Sequence, residues 1–394
     1  MAVDWASLPP DLIYRLADTV LATDDIDYYM DFRAVCRAWR ASTADPKANP
    51  ADPRFHPRRW VALDEVHHDD ECRLFVNLAT GRFVRKDMPI LRKYFVVAGA
   101  GGGQLVLAER NAPHAARVLN PFTGGMIRFK AAVPSSEMEV VAHVIGSSLV
   151  LVCGKSRAIY RADPDDKYFY FPNLEETRFS VPLVWTTLVG GIYAAACEDE
   201  GTFTSRFSPV VYKIRLLVKS LFSDHFTAEE IDALDDDFIV ESEGETLIVF
   251  KLLRDMKVFK LDTFTDMVHP VKDLGNRALF VSNSRCLSVD ASKFPSVVGN
   301  CIYHFVTENI STLDFSVRVY SLENKSDFTL HLGTPPLTVV HLLICHASNV
   351  RASQLGREVM LASLAEQEKA LGSLFGRHES DDVDDGDSDD GDDD

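Results

Sequence analysis

A strand, a tight polar turn and a second strand recur along this chain at nearly even spacing, and no other feature restricts its fold so sharply. The unit appears as VNLATGRFV, LNPFTGGMI, YRADPDDKYFY, FKLDTFTDMV and VYSLENKSDFTL, with VVYKIRLLV as a degraded copy. Leu78, Asn120, Ala162, Lys213, Asp262 and Leu322 mark the turns, separated by 42, 42, 51, 49 and 60 residues. A period of roughly 40–50 residues with up to four short strands per unit is that of a β-propeller blade. The flanking runs are rich in Val, Ile, Phe and Tyr and bounded by Gly, Asn or Asp, as strands are. A pair of β-sandwiches is the competing all-β solution, but it predicts no turn signature returning with each unit. Six blades are visible, and the longest step has room for a seventh.

The chain does not begin this way. LPPDLIYRLADTVLATDDIDYYMDFRAVCRAWRAST, Leu8 to Thr43, reads as a compact helical hairpin. Leu12, Ile13, Leu16 and Val20 fall at helical spacing behind Pro9 and Pro10, which suit a helix's first turn. Thr23 to Asp25 is a break and N-cap for a second helix. Phe32, Val35, Cys36 and Trp39 then follow at i, i+3, i+4 and i+7, one apolar stripe on one helix. Helices this short bury little surface alone, so much of the stripe should find a partner. Four prolines between Asp45 and Pro57 end the helix and read as a semi-rigid connector.

The expected organisation is therefore α+β and multidomain. A small all-α domain at 1–44 is followed by a Pro-rich linker at 45–59 and an all-β propeller at 60–333. An irregular connection at 334–352, an amphipathic helix at 353–376 and a disordered acidic tail at 377–394 complete it. The helix carries Leu355, Val359, Met360, Leu364, Leu371 and Leu374 at near-helical spacing.

Charge is concentrated in the tail. Ser380 to Asp394 holds ten aspartates and no cation, so it carries −10 of the net −18 and leaves about −8 for the rest. Such a run repels itself and resists ordering. Nucleic acid is excluded as a partner, because phosphate binding needs a basic patch that this composition does not supply. No apolar stretch approaches the roughly 18–20 residues of a membrane span, and MAVDWASLPPD lacks the pattern of a secretory signal. Seven scattered cysteines without a CxxC suit free thiols in a reducing compartment.

Local catalytic motifs are missing. AGAGGGQ, Ala98 to Gln104, lacks the third glycine of a dinucleotide loop and precedes a strand rather than a helix, so it reads as a glycine-rich hairpin turn. HHDDEC, His67 to Cys72, reads as a polar turn rather than a metal site, since adjacent ligands do not converge on one ion. DALDDDF, Asp232 to Phe238, offers paired carboxylates but reads as an acidic loop. No GxSxG or HExxH occurs. No catalytic residue, metal or cofactor is expected.

Two resemblances give these parts a use. Trp5, Leu8, Pro9, Leu12, Ile13, Leu16, Asp25, Phe32, Val35, Cys36, Trp39 and Arg40 reproduce the pattern of an F-box, which the opening forty residues resemble. The resemblance implies docking on a Skp-type adaptor, and through it on cullin, with Leu8, Pro9, Leu12, Ile13, Leu16, Phe32, Val35, Cys36 and Trp39 as the binding residues. DLGNRALFVSNSRCLSVDASKFPSVVGNCIYHF, Asp273 to Phe305, looks like the hallmark stretch of the F-box-associated, KIB-type propeller family abundant in plants. NPFTGGMIRF and WTTLVGGIYAA resemble its other segments. Together these imply a substrate-receptor subunit of an SCF-type ubiquitin ligase, in nucleus or cytoplasm, that performs no bond chemistry itself. The alternatives are a propeller enzyme or small-ligand binder, and an F-box protein acting outside ubiquitination. The C-terminus departs from the family, which implies a short aromatic-rich ending where this chain runs TPPLTVVHLLICHASNVRASQ into a helix.

Overall fold

The computed structural model describes residues 5–375 except 64–70, 101, 136, 138–139, 146, 154–158, 171–183, 189–190, 196–224, 263–266, 283, 310–313, 332–337 and 349–352. The acidic tail, His67 to Asp70 and the marker Lys213 therefore lie outside the described residues. Helices α1 (Pro10–Leu21), α2 (Ile26–Ala34) and α3 (Arg37–Ala41) open the chain. Five sheets follow as blades. Blade 1 is β1 (Trp60–Leu63), β2 (Cys72–Asn77) and β3 (Phe83–Asp87). Blade 2 is β4 (Tyr94–Gly99), β5 (Leu105–Glu109), β6 (Ala115–Leu119) and β7 (Met126–Ala132). Blade 3 is β8 (Val140–Ile145), β9 (Ser148–Cys153) and β10 (Ile159–Ala162). A two-stranded hairpin, β11 (Val184–Leu188) and β12 (Gly191–Ala195), and a short helix α4 (Ala228–Asp232) come next. Blade 4 is β13 (Leu234–Ser242), β14 (Glu245–Leu252), β15 (Met256–Leu261) and β16 (Val268–Val271).

Blade 5 differs from the rest. Its strands β17 (Arg277–Val281), β18 (Leu287–Asp290), β19 (Cys301–Asn309), β20 (Asp314–Ser321) and β21 (Ser326–His331) lie in the order β18-β17-β19-β20-β21, with β17 and β19 parallel and the other pairs antiparallel. Helices α5 (Val339–Ser348) and α6 (Gln354–Phe375) end the described chain. None of the helices described is long and apolar enough to cross a membrane.

The propeller has five blades among the described residues, where six or seven were expected. The five well-formed copies of the recurring unit, marked by Leu78, Asn120, Ala162, Asp262 and Leu322, each fall at the edge of one blade. The surplus comes from VVYKIRLLV, which lies outside the described residues. The turn chemistry of the first two copies is the same group by group. Asn77 Oδ1 accepts from the N–H of Ala79 and Thr80, and Asn120 Oδ1 accepts from the N–H of Phe122 and Thr123. Gly81 and Gly124 then take φ of +70° and +69°, a conformation that disfavours residues with a Cβ. Inner strands are buried on both faces, as in β9, which explains their unbroken apolar runs; the outer β3 and β7 alternate.

Three further expectations are corrected. The stripe from Phe32 to Trp39 does not lie on one helix, because α2 ends at Ala34 and Cys36 caps α3, its Sγ accepting from the Trp39 N–H. Asp232–Phe238 is no acidic loop, since residues from Leu234 onward form β13 with Asp237 buried. The segment expected as an irregular connection contains α5. Val340, Leu342, Leu343, Ile344, Cys345 and Ala347 bury most sides of that short helix, so it shows no amphipathic period. It packs among Val61, Leu63 and Val76 of blade 1 and Phe280, Tyr303 and Val319 of blade 5. The seam between first and last blades is thus filled by a helix. The glycine-rich reading of Ala98 to Gln104 holds: the segment turns β4 into β5. A Cβ on Gly103 would stand 2.7 Å from the Trp60 carbonyl oxygen.

Candidate functional site

One face of the helical hairpin is committed to the propeller. Ala17, Ile26 and Tyr29 join Phe55, Trp60, Phe75, Leu105 and Phe122 in a single apolar cluster that spans hairpin, linker and blades 1 and 2. The Pro-rich segment is accordingly docked rather than spanning open space. Asn77 and Asn120, having closed their turns with Oδ1, donate from Nδ2 to Asp25 Oδ2 at 3.4 Å and to the Phe55 carbonyl at 2.7 Å. Arg82 donates to both Asp25 and Asp27, and Lys86 Nζ lies 2.6 Å from Asp27. The Arg82 guanidinium also lies over the rings of Tyr28 and Trp60, at 4.3 and 4.8 Å. Ion pairs, amides and an apolar core all fix the hairpin in one orientation.

The other face is open, and it sorts the expected docking residues into two groups. Leu12, Leu16 and Val35 are 46%, 43% and 60% exposed, Pro9 is exposed, and Leu8, Phe32 and Cys36 are half-buried. Ile13 and Trp39 are buried. Trp39 packs its ring 4.4 Å from that of Phe32 and donates Nε1–H to the Trp5 carbonyl. It belongs to the hairpin's interior, and a substitution there reports on folding before docking. The apolar arc of α1 is wider than the propeller surface it meets, so its Leu12–Leu16 edge stays in solvent. Trp5, 60% exposed, lies beside this edge in sequence, and Tyr14, 49% exposed, was not singled out by the spacing.

A second feature lies on the propeller axis. A cavity of about 480 Å³ is lined from the innermost strand region of every blade, including Val61, Ala100, His143, Glu241 and Ser288, with His346 of α5 and the α1–α2 turn at Asp24. Burial pushes His143 and His346 down to about 4 and about 3, and the Arg285 guanidinium adds to both shifts. His346 Nδ1 is 3.0 Å from the Ala62 carbonyl, which can only accept, so the proton sits on Nδ1 and Nε2 is the acceptor. Cys286 is pushed up to about 12 by burial and is a poor nucleophile. Among the described residues no three His, Cys, Asp or Glu side chains cluster as metal ligands, and six cysteines are free thiols.

These buried groups fix the direction of the pH dependence. His143 and His304 at about 4 and His346 at about 3 stay neutral in the folded chain, whereas unfolded histidine titrates near 6.5. Below 6.5 the unfolded chain binds protons that the folded one refuses, so their contribution is complete above 6.5 and lost as pH falls toward 4. Asp237, raised by burial and then by Asp236 to about 7, acts oppositely, and its contribution fades as pH rises from 3.8 through 7. Three groups outweigh one. Stability should fall on acidification from pH 6.5 to 4, by up to about 2.7 kcal/mol per pH unit for a net two protons. Urea midpoints at pH 7.5, 6 and 5 check this, and a flat series would contradict the burial of these imidazoles. Asp237→Asn should raise the midpoint at pH 7.5.

Comparison with known proteins follows this architecture. A family model described as KIB1-4 beta-propeller matches residues 75–325. No curated protein gives a match. Among solved structures, TolB from Acinetobacter baumannii aligns at 10% identity and a TM-score of 0.23, over 68% of this chain and 52% of its own. YCF48 bound to D1 peptide aligns at 11% identity and a TM-score of 0.27, over 69% and 82%. The chain thus spans about half the length of the first.

Proposed function

This chain belongs to the KIB1-4 β-propeller family, and on that footing we propose that it is the substrate-receptor subunit of an SCF-type ubiquitin ligase. The helical hairpin docks on a Skp-type adaptor and through it on cullin, while the propeller holds a substrate protein. The chain performs no bond chemistry in this role. It raises the effective concentration of a substrate lysine near a ubiquitin-charged enzyme, in nucleus or cytoplasm. The observation that supports it is the division of the hairpin: one face is locked onto blades 1 and 2, and Pro9, Leu12, Leu16 and Val35 stand free on the other. A few aliphatic anchors entering a partner's groove carry most of the affinity in helix-in-groove recognition.

Deleting the hairpin would strip the cover from Trp60 and Phe75, so point substitutions are the cleaner test. Leu12→Glu with Leu16→Glu changes only exposed positions. In pull-down against purified Skp adaptor, the pair should weaken retention by roughly 100-fold or more, as two buried anchors would, with the melting temperature unchanged. Normal retention by the double variant, or none by the intact chain, would remove the adaptor role.

A further inference from the structure

Helix α6 is anchored at one end and bare beyond it. Ser353 and Leu355 are each 1% exposed, and Leu355 sits in the apolar core of blades 2 and 3. Gln354 Oε1 accepts the Val96 N–H of β4 at 2.7 Å. From Arg357 to Gln367 every residue is exposed. With a helix that runs to Phe375, about 28 Å of it continues past this root. A single helix standing in water is marginal by itself. This one also shows water three large apolar side chains, Met360, Leu361 and Leu364, which are 42%, 52% and 48% exposed. Their spacing is particular. Arg357, Met360, Leu364 and Gln367 step by three and four, and Leu371 and Leu374 continue the alternation in sequence. That is the period of two helices paired lengthwise. Leu361 flanks the stripe and Val359 lies off it. Of the helix's carboxylates, Glu358 and Glu366 fall at positions away from the stripe, and Glu368 alone flanks it.

We propose that α6 pairs antiparallel with α6 of a second copy of this chain, making a two-fold dimer. A two-fold pair uses the same stripe twice, so one sequence serves both sides. Charge sets the direction. Beyond α6 each chain carries ten aspartates between Ser380 and Asp394, and a parallel pair would lay two such tails side by side. The antiparallel pair separates them. Centred between Ala365 and Glu366, it sets Leu364 opposite the partner's Gln367, and α6 of one copy ends beside the root of the other. Three exposed cations stand at that root. Arg357 is on α6, while Lys93 precedes β4 and Arg110 follows β5, the Arg110 N–H reaching the Lys93 carbonyl at 3.4 Å. The Arg110 guanidinium lies 4.6 Å from the centre of the Phe95 ring. The carboxylates nearest in sequence, Glu71 and Glu109, are paired with Arg92 and Arg117. The aspartate tail of one copy therefore starts at the cations of the other. The stripe shares no residue with the adaptor-docking face, so either reading can fail alone.

Sedimentation equilibrium of the full chain, from about 1 to about 100 µM, should show the mass rising from 44.0 kDa toward twice that value. Met360→Glu with Leu364→Glu changes only exposed positions. It should weaken pairing by roughly 100-fold or more, with the melting temperature of the dilute chain unchanged. Lys93→Ala with Arg110→Ala should weaken pairing about tenfold at low salt and hardly at all in about 0.5 M sodium chloride, where contacts between exposed charges are screened. A single mass across the range, the result if each tail folds back on its own Lys93 and Arg110, would overturn the proposal. Pairing that survives the two glutamates, or that is indifferent to the loss of Lys93 and Arg110 at low salt, would overturn it as well.

Discussion

A chain ending at Leu332 will not form a stable monomer. The cut removes α5, which fills the seam between blades 1 and 5 with Val340, Leu342, Leu343 and Ile344, exposed by 6% or less. Burying such a side chain contributes about 1.5–3 kcal/mol, so the four together reach roughly 6–12 kcal/mol. The whole stability of a domain is about 5–15 kcal/mol. Three hydrogen bonds go as well, from Ser282 Oγ to the Ala347 carbonyl, from His346 Nδ1 to the Ala62 carbonyl and from the Val96 N–H to Gln354 Oε1. The apolar faces of β1 and β19 would then be open to other copies, and aggregation follows. Size-exclusion chromatography and calorimetry decide it. A truncated chain eluting as monomer with an unchanged melting temperature would show that the strands close the ring unaided.

Arg82→Ala should cost about 3 kcal/mol, near the lower end for breaking a buried ion pair, because Arg82 keeps partial contact with water. The loss arises from what stays behind. Asp25, with a side chain 3% exposed, would keep only the long 3.4 Å contact from Asn77 and its cap on the Asp27 N–H. Asp27 would retain Lys86. The cost should therefore shrink in the double variant Arg82→Ala with Asp25→Asn, where no charge is stranded. Denaturant midpoints of the two single variants and the double variant give the coupling directly. A single-variant effect below about 0.5 kcal/mol, the level of an exposed pair, would mean that hairpin and blade 1 are not joined through this network.

The sequence disclosed the propeller because its turns depend on local chemistry: an asparagine, a threonine and a glycine in fixed order close the hairpins at Asn77 and Asn120. It disclosed the hairpin through proline and apolar spacing. Elsewhere, spacing misled. The Phe32 to Trp39 stripe continues through the break at Val35 and Cys36, so nothing in its period marks where α2 stops. Three successive aspartates hid β13, because Asp237 is buried where alternation would be read as solvent-facing. α5 was hidden for the opposite reason, being apolar on most sides. The axial cavity had no local signature at all. His143, Arg285 and His346 come from blade 3, the β17–β18 turn and the C-terminal helix, and only closure of the ring brings them to one wall.

Asn77 and Asn120 each use both ends of one amide, the oxygen for a turn and the nitrogen for the helical region or its linker. At the matching places in blades 4 and 5 stand Asp262, opposite Met267, and Ser321, opposite Ser326, as Asn77 stands opposite Arg82 and Asn120 opposite Gly125. The ring is thus not five interchangeable sectors. Two of them form a foundation for the helical hairpin, whose turn residues answer to two masters at once, while blade 5, which departs from the four-stranded order, carries α5 instead.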